Sequence, residues 1–93
     1  MKTFQIGETI ICYLEIKRND VYVDPVTSLT ISIYLPSGIV DVDGANMLPG
    51  KEAVGKYAYN YQTSGKPAGI YRVMYKATDG TKITIQNTSF KLE

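Results

Sequence analysis

The sequence predicts an all-β protein, built as one antiparallel sandwich, and three observations support this. Apolar residues alternate with polar ones at a period of two in each long apolar segment, which is typical of half-buried strands. No segment keeps apolar residues at helical spacing over three turns without an interrupting Gly or Pro, and β-branched and aromatic residues dominate the apolar segments. Turn signals recur at short intervals and leave no room for the crossover helices of a parallel sheet.

The predicted strands follow one another with few interruptions. They lie in the segments TIICYLEIK, SLTISIYLP, GKYAYNY, GIYRVMYKAT and KITIQ. Alternation predicts one inward face for each strand. The inward positions predicted outside the GKYAYNY segment are Ile10, Cys12, Leu14 and Ile16, then Leu29, Ile31, Ile33 and Leu35, then Tyr71, Val73, Tyr75 and Ala77, then Ile83 and Ile85.

Turn-forming residues separate these strands, and the strongest signal is Asp79-Gly80. A two-residue type I′ hairpin needs positive φ at both central positions, which Asp-Gly tolerates, so this pair is predicted to join the last two long strands. Weaker signals include Asp43-Gly44 and Pro49-Gly50. About seven short strands over this length indicate a sandwich. A small closed barrel of the OB or SH3 type is the alternative.

Length and charge limit both the size of the domain and its partners. A chain of 93 residues forms a single domain, residues 1–93, with one core. Its ten basic and nine acidic residues leave a net charge of +1, so we expect neither nucleic acid nor an anionic membrane as a partner. The longest apolar runs are too short for a bilayer helix, and no leader-like segment is visible, so we expect a soluble chain made without export.

The residues of catalysis and metal binding are sparse. The chain has one cysteine and no histidine, so it lacks an internal disulfide, a Cys/His zinc site and the commonest general base. We therefore expect no enzyme and no cofactor. Asp41, Asp43 and Glu52 have the spacing of the first, third and twelfth positions of a calcium loop, but the fifth and sixth positions do not fit. An acidic turn between strands is the preferred interpretation, and calcium binding remains open.

Several segments together resemble a known family. The order of these segments is similar to that of immunoglobulin-like modules of the macroglobulin and bacterial-surface type: FQIGETI at residues 4–10, then KRNDVYVDP, LTISIYLPSG, GKYAYNY, GIYRVMYKATDG and the terminal SFKLE. They are also similar to small immunoglobulin-like proteins of tailed viruses of bacteria and archaea. The resemblance implies an immunoglobulin-like sandwich and a non-enzymatic role in a virion, as a tail or capsid-associated protein in the particle or the host cytoplasm. The alternative is an adhesive or carbohydrate-binding module at a cell surface.

The resemblance also implies roles for three residues. Tyr71 has the place of the tyrosine that bonds back across a corner, and Val73, two positions later, has the place of the residue at the centre of the sandwich. Cys12 then corresponds to the first disulfide cysteine of an antibody domain, although Val73 offers no sulfur. No nearby base or cation would activate the thiol, so Cys12 is predicted to be a small buried apolar side chain.

Three tyrosines at every second position, Tyr57, Tyr59 and Tyr61, share one face of their strand. We expect their rings in the core and their hydroxyls at the rim of the sandwich. An exposed platform for sugar or peptide is the alternative, but it would leave Ala58 to cover the core almost alone. A small-molecule ligand is therefore not expected.

The expected partner is a protein, either another subunit or a second copy of the chain. If the third, sixth and seventh strands of an immunoglobulin-like sandwich share a sheet, outward residues on them form a mildly basic face. The predicted partner-binding residues on that face are Tyr34, Arg72, Met74, Lys76 and Lys82, with Thr84 and Gln86 beside them. We expect this face to dock on an acidic subunit. The alternatives are a merely solvated face, the loops, or the opposite face with Ile11 and Tyr13.

Overall fold

A computed structural model describes residues 1–25 and 27–93, and within them nearly all regular structure is β. The strands are β1 (Lys2–Phe4), β2 (Thr9–Glu15), β3 (Lys17–Arg18), β4 (Val21–Tyr22), β5 (Ser28–Tyr34), β6 (Val40–Asn46), β7 (Lys51–Ala53), β8 (Lys56–Gln62), β9 (Gly69–Asp79) and β10 (Lys82–Leu92). A single turn of 3₁₀-helix covers Leu48–Gly50. The prediction of an all-β chain is confirmed. There are more strands than the predicted seven or so, because four of them, β1, β3, β4 and β7, contain only two or three residues each and show no alternation to detect.

The strands form two packed sheets and one small hairpin. One sheet has the order β1-β10-β9-β5-β6, and the other has the order β2-β8-β7. All neighbours pair antiparallel except β1, which runs parallel to the end of β10. The hairpin β3-β4 stands apart from both sheets. Two separate sheets with a shared core make a sandwich, and the predicted sharing of one sheet by β5, β9 and β10 is also confirmed.

The core lies between the two sheets and follows the predicted alternation. Along β2 every second residue is buried, and the residues between them are exposed. The buried apolar residues are Ile10, Cys12, Leu14, Leu29, Ile31, Ile33, Met47, Tyr57, Tyr61, Tyr71, Val73, Tyr75, Phe90 and Leu92. Burial of these side chains is the main stabilising contribution, because nothing else in so small a fold removes as much apolar surface from water.

The β3-β4 hairpin and the β9-β10 hairpin have turns of different types, and the second turn differs from the predicted type. Asn19 and Asp20 join β3 to β4 with φ values of 52° and 63°, so this pair forms the type I′ turn. Asp79 instead pairs with Lys82, which leaves Gly80 and Thr81 as the central residues of the last hairpin. Gly80, at φ 64°, occupies the first central position, as in a type II′ turn.

The predicted turn at Asp43-Gly44 was also wrong. Both residues lie inside β6, whose register against β5 shifts at two places. Gly44 adopts φ 61° there, and its N–H donates a 3.0 Å hydrogen bond to the hydroxyl of Ser32 on β5. Glycine thus accommodates a bulge, and the strand bends without ending.

Candidate functional site

Side chains of β5, β9 and β10 that point away from the core form one continuous surface of the larger sheet. Thr30 faces Lys76, Ser32 faces Met74 and Tyr34 faces Arg72 across the β5-β9 ladder. Because directly opposed residues point to the same side of a sheet, Tyr34, Arg72, Met74 and Lys76 share one face, as predicted. We call this surface the outer face; it is completed on β10 by the odd-numbered residues from Ile83 to Lys91.

Electrostatically, the outer face is positive. Its outward positions on the three strands carry Arg72, Lys76 and Lys91, and none of them carries Asp or Glu. The Arg72 guanidinium lies over the ring of Tyr34, with 4.5 Å between the guanidinium carbon and the ring centroid. This cation–π contact holds the long arginine side chain against an aromatic base, so less of its conformational freedom is lost when a partner binds.

Lys82 does not belong to this surface, which corrects a predicted site residue. It pairs with Asp79, and both residues line the gap between the sheets together with Thr84 and Gln86. Ile83 and Ile85, predicted to point inward, are instead 57% and 55% exposed. The physical reason is that β10 is one continuous strand whose buried residues near its end, Phe90 and Leu92, have even numbers.

The sequence shows the conflict behind this error but not its outcome. If KITIQNTSFKL is taken as one strand, Ile83 and Ile85 fall on the face opposite to Phe90 and Leu92. The aromatic ring and the leucine bury more apolar area near the centre of the sandwich, so they decide which face turns inward. The outer face is therefore more apolar than predicted.

A cleft of about 400 Å³ opens between the sheets where β9 and β10 extend past β2. Leu14, Tyr75 and Ala77 are among the apolar residues that line it. At its margin the Arg18 guanidinium donates a 2.8 Å hydrogen bond to the Asp79 carboxylate and ties the β3-β4 hairpin to β9. Both side chains are substantially exposed, so the ion pair contributes little stability.

The tyrosines of β8 confirm the expected core position. Tyr57 and Tyr61 are buried, and Tyr59 packs partly against the core. The Tyr61 hydroxyl donates a 2.6 Å hydrogen bond to Asp41, and the Tyr57 hydroxyl donates a 2.9 Å bond to Asp24. Their rings therefore do not form an exposed platform. Burial, followed by the bond to Asp24, raises the pKa of Tyr57 to about 12, and burial also raises the pKa of Tyr61.

Asp24 connects three elements at one end of the sandwich, a role that the sequence did not indicate. It accepts a 2.7 Å bond from the Lys51 ammonium, a 2.8 Å bond from the Gly55 N–H and the bond from Tyr57. These donors, with Lys51 the strongest contributor, lower the pKa of the Asp24 carboxyl to about 2. The group is an ionised anchor for the chain, and nothing in this arrangement makes it a catalytic acid.

Cys12 and Val73 are both buried, as predicted for structural residues. Burial raises the pKa of the Cys12 thiol to about 11, and the hydroxyl of Tyr75 opposes this only in part. A nucleophilic cysteine needs the opposite shift, so the thiol is protonated and chemically quiet at neutral pH.

The segment considered as a calcium loop folds as strand β6 followed by the 3₁₀ turn. The Asp41 carboxylate is already engaged, since it accepts bonds from Tyr61 and from the Lys66 ammonium at 2.8 Å. The bond from Lys66, then that from Tyr61, lowers the pKa of this carboxyl. Within residues 1–25 and 27–93, no three His, Cys, Asp or Glu side chains come together as a metal site. Asp41, Asp43 and Glu52 therefore do not converge.

The same part of the chain has no helix that is long and apolar enough to cross a membrane. Comparison of the chain with protein-family models, with curated proteins and with solved structures finds no match. The assignment of a function therefore depends on the geometry described above and on the sequence resemblance.

Proposed function

We propose that this chain is a non-enzymatic, immunoglobulin-like docking module that binds an acidic protein surface through its outer face, as a structural component of a virion. The observation that carries the proposal is the charge of that face: Arg72, Lys76 and Lys91 are not balanced by any carboxylate on the outward positions of β5, β9 and β10. A surface of one sign attracts a partner of the other sign and excludes partners of its own sign.

The strand order supports the immunoglobulin-like part of the proposal. Immunoglobulin domains of the variable type place strands G, F, C and C′ in one sheet and include B, E and D in the other. Assigned in chain order, β10-β9-β5-β6 corresponds to the first set and β2-β8-β7 to the second. The hydroxyl of Tyr71 donates a 2.6 Å bond to the carbonyl oxygen of Pro67, four residues upstream, which is the geometry of a tyrosine corner.

The composition of the outer face supports protein docking. Interface centres favour aromatic residues, Met and Arg, and the contact between Arg72 and Tyr34 provides a preformed anchor of this kind. Met74, between Arg72 and Lys76, is partly exposed and flexible enough to fit an irregular partner surface. Exposed Ile83 and Ile85 extend the apolar area toward the edge of the sheet.

The virion role is supported by the sequence resemblance, and it is tested through the particle proteins. The chain would be expressed with the products of its neighbouring genes, and binding would be measured by pull-down and by titration at two salt concentrations. The charge-reversing double variant Arg72→Glu/Lys76→Glu should weaken binding about tenfold, since each exposed charge pair contributes up to about 1 kcal/mol. Higher salt should weaken wild-type binding as well.

The matched control is Lys17→Glu/Lys56→Glu, which changes the net charge equally but lies elsewhere, where both ammoniums flank the ring of Tyr22. It should bind like the wild type. Equal losses in both double variants would show that only net charge matters and would contradict docking through the outer face. Failure of the wild-type chain to bind any particle protein would refute the virion role.

A further inference from the structure

The part of β10 next to its hairpin turn has one free edge. On one side β10 pairs with β9 along its whole length, from Lys82 to Leu92. On the other side β1 covers only Phe90, Lys91 and Leu92. Among the residues that the structure describes, no strand pairs with this second side of residues 82–89. We call residues 82–89 the open edge.

The direction of the main-chain groups along the open edge follows from two contacts. Glu93, just after β10, donates its N–H to the carbonyl of Phe4 and accepts from the N–H of Ile6, each at 3.0 Å, so its polar groups point toward the β1 side. These groups alternate in direction along a strand. The N–H and C=O of Ile83, Ile85 and Asn87 therefore point outward at the open edge, while those of the even-numbered residues pair with β9.

Beyond Lys82 at its first position, the open edge lacks the features that normally prevent edge pairing. Natural edge strands are protected by charges, prolines or bulges. Residues 83–89 contain no charged residue and no proline, and their register against β9 runs without a shift. Two exposed isoleucines, Ile83 and Ile85, alternate along it on the outer face. Such a segment is suited to accept another strand.

We propose that the open edge pairs antiparallel with the open edge of a second copy of this chain, around a twofold axis at which Ile85 faces the partner's Ile85. In this register Ile83 faces the partner's Asn87, and the outward-pointing main-chain groups of Ile83, Ile85 and Asn87 in each copy all lie in hydrogen-bonded pairs. About six main-chain hydrogen bonds result, two for each such pair. The two five-stranded sheets then form one continuous sheet.

A second copy is the occupant favoured by charge and by geometry. Residues 83–89 carry no charge and the positive Lys82 falls opposite the partner's Thr88, so self-pairing opposes no like charges. The isoleucines of the two copies come together on the outer face and shield one another from water. If the two strands overlapped by two more residues, the partner's Lys82 would lie opposite Phe90, and β1 already occupies that side of Phe90. The inference does not rest on the proposed function, because it uses the edge of the sheet and not Arg72 or Lys76.

The association of the purified chain tests the proposal. Sedimentation velocity from micromolar to millimolar concentration should show a concentration-dependent dimer. Ile85→Lys and Ile85→Glu, tested separately, should each raise the dissociation constant at least ~10-fold, because the twofold axis opposes like charges. An equimolar mixture of the two variants should dimerise again, since opposite charges then meet. The matched control is Ile70→Lys, at a residue on β9 that is also 55% exposed, and it should dimerise like the wild type.

A wild-type monomer at all concentrations would overturn the proposal and leave the open edge to a strand of another protein. Variants that dimerise like the wild type, or a mixture that stays monomeric, would overturn the register at Ile85. Hydrogen exchange of the wild-type chain supplies a test without substitutions. The amides of Ile83, Ile85 and Asn87 should become protected as concentration rises, while those of Thr84 and Gln86 should be protected throughout. Concentration-independent exchange at Ile85 would refute the pairing.

Discussion

The ring of Tyr71 stacks on the ring of Phe90, with centroids 5.0 Å apart and planes 9° from parallel, at the point where β9 meets the end of β10. Tyr71 is fully buried, and its hydroxyl is bonded to the carbonyl oxygen of Pro67. The side chain therefore joins the centre of the core to the loop that precedes β9. The stacked ring provides apolar burial, and the hydroxyl donates a hydrogen bond to a main-chain carbonyl of that loop.

Tyr71→Phe should keep the fold and lower the free energy of unfolding by about 1 kcal/mol, because the ring remains while the bond to Pro67 is lost. For a chain of this size, this corresponds to a fall in Tm of about 5 °C. Thermal unfolding followed by circular dichroism measures it. The exposed Tyr13 supplies the control, since Tyr13→Phe should leave Tm unchanged. An unchanged Tm for Tyr71→Phe would contradict a stabilising corner bond.

Stability should fall in acid partly through Asp24. The pKa of this carboxyl is lowered to about 2 in the folded chain, from an ordinary value of 3.8. Its contribution is therefore complete above about pH 4 and is lost as the pH falls toward 2, where the folded carboxylate takes up its proton. Asp24→Asn should flatten the dependence of Tm on pH across this window. Asp43→Asn, at an exposed position of β6, is the control; equal flattening by both variants would count against the role of Asp24.

Cys12 should react with a thiol reagent only after unfolding. The side chain is buried on β2, and burial raises its pKa to about 11, so both access and thiolate are lacking in the folded state. Labelling with a chromogenic disulfide should be slow in buffer and complete within seconds in denaturant. Rapid labelling in buffer would mean that β2 is shifted by one residue, which would bring Cys12 to the surface.

Gly50→Ala should destabilise the chain by about 3 kcal/mol, because the added carbon would lie 1.9 Å from the carbonyl oxygen of Ala58. Gly65→Ala is the comparison: φ is 76° there, but nothing lies within 4 Å of the added carbon. Its cost is backbone strain alone, about 1 to 2 kcal/mol. Urea unfolding of both variants separates the two causes. A smaller loss of unfolding free energy for Gly50→Ala than for Gly65→Ala would contradict the expected clash and would mean that β8 moves away from the added carbon at little cost.

Much of the fold could be predicted because it depends on local chemistry. Alternation along β2, β8 and β9 identified buried Cys12, the inward tyrosines and buried Val73, since a half-buried strand must alternate. The spacing between Tyr71 and Val73 identified the corner through the resemblance. These features repeat over a few residues, so they can be detected in the sequence without knowledge of the neighbouring strands.

The candidate site could be predicted only in part. Tyr34, Arg72, Met74 and Lys76 share a face because β5 and β9 are both regular and their inward residues are unambiguous. Lys82 was misplaced because β10 carries two apolar pairs that point to opposite faces of the strand. These pairs are Ile83 with Ile85 and Phe90 with Leu92. Only one pair can face the core, and local pattern does not decide between them.

The sequence by itself determined that this chain is all-β, with period-two strands, a buried cysteine and a core rich in tyrosine. Tertiary structure alone decided which face of β10 is buried, which donors surround Asp24, and that β1 stops short and leaves the open edge. The physical reason is the range of the interactions. Alternation and turn preference act between near neighbours in the chain. Burial of a strand face and pairing of an edge depend on distant residues, such as the partners on β1 and β10, which are 88 positions apart.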